Sequence, residues 1–160
     1  MTLLRNGVWT DNDAWTPVES HDESGSLSTH QHAQILLTID QFQSLSREEK
    51  TRAPGVVLNP ADDVQVIKEH LSTLQLVAIN FPKYTDGRGY SQARVLRTQL
   101  NFPGEIRALG DVRPDQILFM MRAGITTFQF ETQPNQQVVQ QILTRFKANY
   151  QPSYPLPIAG

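Results

Sequence analysis

The sequence predicts an α/β fold in which four consecutive βα units form a parallel sheet, with a short N-terminal β-hairpin extension. Two observations predict it. From residue 55 onward, short apolar segments alternate with longer segments of helical periodicity, which is the pattern of right-handed βαβ crossovers. Proline, glycine and acidic residues stand where helices begin and end. Four such units are half of a (β/α)₈ barrel and nearly enough for a small doubly wound sheet, so both architectures stay open.

The N-terminal fifty residues are predicted to form an extension made of a hairpin and a loop. Trp9 and Trp15 flank Asp11-Asn12-Asp13, and we interpret residues 7–18 as a hairpin that turns there, with both tryptophans clamping it to the main body. A polar stretch at residues 19–28 has no periodicity and is predicted to be a loop. Residues 35–39 form an apolar segment that is typical of a strand, and residues 41–52 favour one or two helical turns.

The predicted (βα)₄ domain covers residues 51–148, and a proline-rich tail at 149–160 is expected to be extended. In the first unit, Asn59 is the expected helix cap and Pro60 the first helical residue. Gly124 is expected to end the third helix. The four predicted strands, each with its helix, are Val56–Leu58 with 60–74, Leu76–Phe81 with 90–100, Glu105–Leu109 with Gln116–Ala123, and Ile125–Phe130 with Asn135–Phe146.

Composition excludes several classes of protein. The chain of 160 residues has 14 basic and 16 acidic side chains and no cysteine, which rules out disulfides, thiolate nucleophiles and clusters held by cysteine. Its net charge of −2 and the lack of a basic stripe disfavour nucleic-acid binding. The apolar runs are too short to span a bilayer, and no secretion signal is apparent. We therefore expect a cytoplasmic protein with no membrane, metal or resident cofactor.

The charge distribution suggests separate roles for the two parts of the chain, and the predicted sheet edges suggest how they are covered. Residues 1–50 carry 3 basic and 8 acidic side chains, whereas residues 51–160 carry 11 basic and 8 acidic side chains. Such asymmetry favours two functional regions. An isolated half-barrel would leave its strand edges uncovered. Either the N-terminal segment or a second copy of the chain should cover them, and the sequence favours a homodimer.

The most informative segment follows the second strand of the domain. Ligands of parallel α/β proteins gather at the carboxyl ends of strands, and residues 82–94 there combine two glycines with three cations. This composition predicts a site for a small anionic ligand. Asp111, after the next strand, is expected to lie beside this loop and to orient its arginines. The candidate ligand-binding residues are Lys83, Asp86, Arg88, Tyr90, Ser91, Arg94 and Asp111.

Several charged residues of the chain also have a purely structural interpretation. Asp86 and Arg88 also fit a local ion pair in a glycine turn, and Asp111 fits an ordinary turn residue. Arg97 is expected to be solvated. Arg107 lies within a predicted strand, where a charge needs a partner, so we expect it near a sheet edge or a chain contact. His30 and His32 lack a nearby third ligand, which favours solvent exposure over metal binding.

The segment Phe81-Pro-Lys-Tyr-Thr-Asp-Gly-Arg-Gly-Tyr-Ser91, together with Arg94 and the pair Gly110-Asp111, resembles a bacterial family of unknown function, DUF934. The resemblance covers residues 50–148. It implies a place in assimilatory sulfite reduction, because genes of this family commonly lie beside those for sulfite or nitrite reductase and are labelled probable oxidoreductases. The family supplies no established catalytic residue.

Three functional hypotheses are compatible with the sequence. The leading one is a non-redox accessory protein of sulfur metabolism that binds a small anion, or the sulfite or nitrite reductase subunit itself, at its strand ends. The second is a small lyase- or isomerase-like half-barrel enzyme that uses Lys83 or Asp111 as acid or base. The third is an interaction module that docks a partner through its acidic N-terminal region. The sequence does not decide whether the protein is an enzyme.

Overall fold

The computed structural model describes residues 1–17, 34–52 and 55–149. Their strands form one mixed eight-stranded sheet in the order β2-β1-β8-β7-β6-β5-β4-β3. Strands β3 to β8 are parallel, and β1 is antiparallel to both β2 and β8. The strands are β1 (Thr2–Arg5), β2 (Val8–Thr10), β3 (Trp15–Pro17), β4 (Gln34–Thr38), β5 (Gly55–Leu58), β6 (Leu76–Phe81), β7 (Glu105–Gly110) and β8 (Thr127–Phe130).

Helices connect the successive parallel strands from β4 to β8, and α5 follows β8. The α-helices of the described residues are α1 (Ile39–Ser44), α2 (Arg47–Arg52), α3 (Arg88–Arg94), α4 (Ile117–Ala123) and α5 (Gln136–Asn149). Val64–His70 and Pro114–Gln116 are 3₁₀ helices, and a π-helix at Val95–Gln99 continues α3. The four predicted βα units are therefore confirmed. Because the parallel strands follow one another in chain order, the sheet has the single winding direction of a barrel and lacks the reversal of a doubly wound sheet.

The N-terminal hairpin is confirmed, but it lies earlier in the chain than predicted. β1 pairs with β2 across Asn6-Gly7, whose φ angles of 50° and 81° are those of the tight turn that Asn-Gly favours. Residues 11–13 do not form the turn. Trp15 belongs to the opposite sheet edge, parallel to β4, whereas Trp9 packs against Phe130 with ring centroids 5.8 Å apart. The prediction that both tryptophans clamp one hairpin is wrong.

Two helix starts also differ from the prediction. Asn59 opens a turn in which its backbone N–H donates to Asp62 Oδ2 (2.6 Å), and Asp63 caps the following 3₁₀ helix through Gln65 N–H. Ile39 begins α1 and does not end a strand, because Thr38 and Gln41 form a capping box there. The helix cap is therefore Asp63 and not Asn59.

The two faces of the sheet are covered differently. One face packs against helices and forms the main core, with Ile79 and Phe128 from strands and Leu96 and Met120 from helices. Successive right-handed crossovers in one direction place their helices on this one side. The opposite face carries a small cluster of Trp15, Leu36, Leu76 and Ala78. We call this opposite side of the sheet the helix-free face.

The sheet curls around its helix-free face. Laid flat, eight strands span about 34 Å, yet residues 11–14 connect the edge strands β2 and β3, and so short a link reaches at most about 18 Å. Asp13, just before β3, binds Arg107 in β7 across this face with a 2.7 Å contact. Arg107 and Thr127 are 0% exposed there. The helix-free face is therefore the interior of a barrel-like sheet.

The N-terminal strands cover both edges of the four-unit sheet, because β1 pairs with β8 and β4 pairs with β5. This is one of the two expected ways of covering them, and the homodimer stays a prediction. The division into extension, domain and tail also stays a prediction, and residues 150–160 lie outside the described residues. Among the helices that the structure describes, none combines the length and apolar character needed to cross a bilayer.

Candidate functional site

The loops after β6 and β7 meet at the carboxyl edge of the sheet. Phe81 and Gly110 are opposite residues of the two strands, and the backbone N–H of Asp111 donates to Phe81 O at 2.8 Å. Gly110 has φ +88°, and a side chain there would collide with that same carbonyl oxygen, so the close approach requires glycine. We call residues 82–88 and 110–113 the strand-end rim.

Asp111 joins the two loops of the rim. Its Oδ2 accepts a hydrogen bond from the backbone N–H of Tyr84 (3.1 Å), and its Oδ1 accepts one from Arg113 Nε (3.0 Å). The Arg113 guanidinium lies 3.7 Å from the centroid of the Tyr84 ring, which is a cation–π stack. Asp111 thus lies beside the glycine-containing loop, as expected for the loops of neighbouring strands, but the arginine that it orients is Arg113 and not Arg88.

Asp86 and Arg88 form the second ion pair of the rim. Arg88 donates from Nε (3.0 Å) and from its terminal nitrogen NH2 (2.7 Å) to the two carboxylate oxygens of Asp86, and its backbone N–H donates as well (3.1 Å). This is the local pairing that the structural alternative predicted. It leaves the NH1 group of Arg88 without a partner among the described residues.

The pKa values of the rim follow from these contacts. Hydrogen bonds from Arg88 lower the pKa of Asp86 to about 2. The side chain of Arg113 and then the backbone of Tyr84 lower the pKa of Asp111 below its usual range. Both carboxylates are therefore ionised at neutral pH and are weak bases. This counts against a role for Asp111 in general base catalysis.

Of the other candidate residues, Tyr90, Ser91 and Arg94 lie outside the rim, whereas Lys83 belongs to its first loop. Tyr90 lies half-buried against Phe81, and its hydroxyl donates to Gln116 Oε1 (2.9 Å). Burial raises the pKa of Tyr90. Its hydrogen bond to Gln116 ties α3 to the start of α4. Arg94 is six residues beyond Arg88, which places it about 9 Å along α3 and on another side of the helix. Ser91, Arg94 and Lys83 are exposed and have no side-chain partner within the described ranges.

Two buried arginines correct the sequence interpretation. Arg97 is not solvated: it is 7% exposed and donates to the carbonyl oxygens of Gly124 (2.9 Å), Phe102 (2.6 Å) and Gly104 (2.7 Å). Arg107 has the expected partner, but it lies on the interior strand β7 and not at an edge. It binds Asp13 and, through Nε at 3.0 Å, Glu105.

The sequence interpretation missed Tyr84 and Arg113. A signal was available, because Asp86-Gly-Arg88 and Asp111-Val-Arg113 repeat the same Asp-x-Arg spacing after two consecutive strands. In both cases the arginine two residues on turns back to the carboxylate. The predicted pair His30 and His32 lies outside the described residues, and among those described no three His, Cys, Asp or Glu side chains form a metal-binding group.

A model of a bacterial protein family of unknown function, DUF934, matches residues 55–158. The chain belongs to the DUF934 family. The match begins at β5 and includes the entire strand-end rim, whereas β1 to β4 precede it. Among curated proteins, none matches the chain.

Proposed function

We propose that this DUF934 protein is a non-redox accessory protein of assimilatory sulfite reduction that docks onto the sulfite or nitrite reductase subunit through its strand-end rim. The pathway comes from what the family resemblance implies. The docking surface comes from the rim, and the observation that carries it is the exposed stack of Arg113 on Tyr84, held in place by Asp111.

The stack has the chemistry of an interface anchor. Tyr84 is 40% exposed and the Arg113 side chain 48%, so both offer surface to a partner. Tyrosine and arginine are the residue types that dominate binding energy at protein interfaces. Asp111 holds the Arg113 side chain and the Tyr84 backbone, and the two side chains stack on each other. Binding would therefore cost less conformational entropy than it would for free side chains.

The charges of the rim favour a protein over a free anion. Each rim arginine is already neutralised by the aspartate two residues before it, which weakens the attraction for a small anion. Two such pairs instead present alternating charges, and complementary charges on a partner give specificity and steer association.

An accessory role also agrees with the chemistry that the chain lacks. Without cysteine, the protein cannot hold an iron–sulfur cluster through thiolates. The lowered pKa of Asp111 makes it a weak base, which counts against one of the two acid–base residues of the alternative half-barrel enzyme. Electron transfer and the catalysed reaction would then take place in the partner protein.

Binding between the purified protein and the reductase subunit of the same cell, measured by biolayer interferometry, tests the proposal. Tyr84→Ala and Arg113→Ala should each weaken binding about tenfold or more. Phe119→Ala and Arg145→Ala are matched controls, because both side chains are exposed and lie on α4 and α5, outside the rim. Wild-type protein that does not bind, or rim variants that bind like the controls, would refute the proposal.

A small anion is the second candidate ligand of the rim. It is favoured by Lys83, which is exposed and unpartnered among the described residues, and by the unused NH1 of Arg88 on the same loop. Calorimetric titration with sulfite and sulfate separates it from docking. An anion site there requires heats that disappear in Lys83→Ala and Arg88→Gln; equal heats in wild type and both variants would exclude it.

A further inference from the structure

A groove lies at the amino edge of the sheet, opposite the strand-end rim. It runs between the end of the first 3₁₀ helix and the segment that follows the π-helix, and its volume is about 440 Å³. We call it the amino-edge groove. Apolar side chains line it on both sides, from Leu71, Leu100 and Phe102, and polar side chains lie among them, from Ser72, Gln99 and Asn101.

The backbone beside this groove is unusual. The π-helix Val95–Gln99 leads into it, and Asn101 has a φ of 51°. π-helices are rare and occur frequently at functional sites. Residues with a side chain seldom adopt a positive φ, and they do so most often where the surrounding structure has a use for it. Two such features next to one cavity favour a role for the groove beyond ending a helix.

The polar side chains of the groove define what it can bind. Ser72, Gln99 and Asn101 are exposed and have no side-chain partner among the described residues, so their hydroxyl and amide groups are available as hydrogen-bond donors. Lys68 and Glu69 line the groove as well and carry opposite charges, which leaves it neutral. These properties fit an uncharged, extended segment with apolar side chains and free carbonyl groups.

The proline-rich tail of this chain has that chemistry. Residues 150–158 carry no charge, and three of these nine residues are prolines, which leave six backbone N–H groups for nine carbonyl groups. Such a composition favours the polyproline II conformation, which loses little entropy when it docks into a groove. Leu156 and Ile158 alternate with the prolines and supply apolar side chains.

The tail is long enough to reach the groove. It begins after Asn149, at the end of α5, and α5 runs back from the carboxyl end of β8 to the amino edge. Since α4 packs against both α5 and α3 and neighbouring helices lie about 8–10 Å apart, the groove is about 20–25 Å from the end of α5. At about 3.1 Å per residue, Leu156 lies about 22 Å beyond Asn149.

The groove and the tail belong to the same part of the family match. The DUF934 match begins at residue 55 and continues to residue 158, nine residues beyond α5, although it leaves out β1 to β4. A family unit that ended with the last helix would stop at α5. The extension to Ile158 indicates that the tail serves the unit that also contains the groove.

We propose that residues 154–158 dock in the amino-edge groove of the same chain. Leu156 packs against Leu71 and Leu100, and carbonyl groups of the tail accept hydrogen bonds from the polar side chains of the groove. The tail thereby forms a strap that ties the ends of two helices together. The strap lies at the edge opposite the strand-end rim and does not depend on the proposed docking to a reductase.

Paramagnetic NMR on the full chain tests the strap. Because the chain has no cysteine, Ser153→Cys places a single nitroxide label next to the docking segment. The methyl signals of Leu71 and Leu100 should lose most of their intensity in the oxidised sample relative to the reduced one. Those of Val112, in the strand-end rim, and Val138, at the far end of α5, should keep it.

A variant that fills the groove supplies the matched comparison. Ser72→Trp, made in the labelled chain, places an indole among the lining residues and should restore the signals of Leu71 and Leu100. Thr73→Trp is the control, because Thr73 is also exposed and neighbours Ser72 but does not line the groove. The control should leave the loss of intensity unchanged.

Three outcomes would overturn the proposal. The first is equal intensity of the Leu71 and Leu100 signals in oxidised and reduced samples, and the second is the same loss in Ser72→Trp as in Thr73→Trp. The third is a loss in a mixture of isotope-labelled wild type with unlabelled nitroxide-bearing chains, which would place the tail of a second copy in the groove. None of these outcomes changes the reductase binding of the rim variants, so the two proposals are tested separately.

Discussion

Arg107 and Arg88 each bind carboxylates through two nitrogen atoms, but they do so in opposite regions of the molecule. Arg107 is completely buried inside the curled sheet and reaches Asp13, 94 positions away in the chain. Arg88 stands on the rim with 62% of its side chain exposed and binds Asp86, two positions away. Ion pairs of the same chemistry therefore serve different purposes, because solvent screens one and not the other.

The interior pair joins two distant parts of the sheet. Asp13 belongs to the short link between the two edge strands, so its contact with Arg107 holds that link over the helix-free face. The rim pairs instead order two loops at the surface. Variants of the two regions should accordingly separate loss of stability from loss of binding.

The largest effect is expected from Arg107→Met. This change leaves the Asp13 carboxylate without its cation and leaves Glu105 with only Arg5, 3.3 Å away; both carboxylate side chains are about 20% exposed. Breaking a buried pair from one side typically costs about 3–5 kcal/mol, and we expect a loss in that range in urea unfolding. Arg145→Met, an exposed arginine on α5, should leave the midpoint unchanged. A loss as small as that of the control would mean that the sheet does not depend on this pair.

Arg97→Met should have the next largest effect. Its guanidinium donates to three carbonyl oxygens in two segments: Phe102 and Gly104 in the link before β7, and Gly124 at the end of α4. Leaving these acceptors unpaired in the interior should lower the free energy of unfolding by about 2–4 kcal/mol. Arg97→Lys should recover part of the loss, since an ammonium can still donate to some of them. Equal stability of the methionine and lysine variants would contradict this assignment.

The contrast between contacts that are near and distant in the sequence also explains which structural features the sequence could predict. The four βα units follow from local periodicity and from glycines and prolines at their ends, and they are confirmed. Contacts with a large separation in sequence were not predictable. Nothing near Trp15 indicates that it joins the far edge of the sheet, and the Asp-Asn-Asp segment competes as a turn with Asn6-Gly7, which in fact forms it.

Two of the missed features left a signal in the sequence. Arg97 is four residues after Ala93 and next to Leu96, so it lies on the apolar face of its helix and not on the solvated one. Glu105 and Arg107 alternate along one strand and therefore share a face. The partners on the other side, Gly124 and Asp13, could be identified only from the fold.

A smaller effect is expected when Arg113 is replaced by alanine. Since Arg113 is exposed and Asp111 is only partly buried, the urea midpoint should match that of the wild type. The pKa of Asp111 should rise towards its usual value of 3.8, because its main hydrogen bond is lost. Carboxyl carbon NMR titration measures this change, with Arg145→Ala as the control. An unchanged pKa of Asp111 would mean that the pair does not persist in solution.

The smallest effect concerns Asp86, whose pKa of about 2 lies below its usual 3.8. A carboxyl group with a lowered pKa in the folded state contributes stability that is present above pH 3.8 and is lost as the pH falls through 2. In NMR titration the Asp86 carboxyl should titrate near pH 2 in the wild type. It should move towards 3.8 in Arg88→Gln, which removes the charged partner and keeps a polar side chain. High salt should shift the wild-type value in the same direction. Since Asp86 and Arg88 form a local pair in a surface loop, the fold should remain intact in both forms. An ordinary pKa of Asp86 in the wild type would mean that Arg88 is not held in place in the rim.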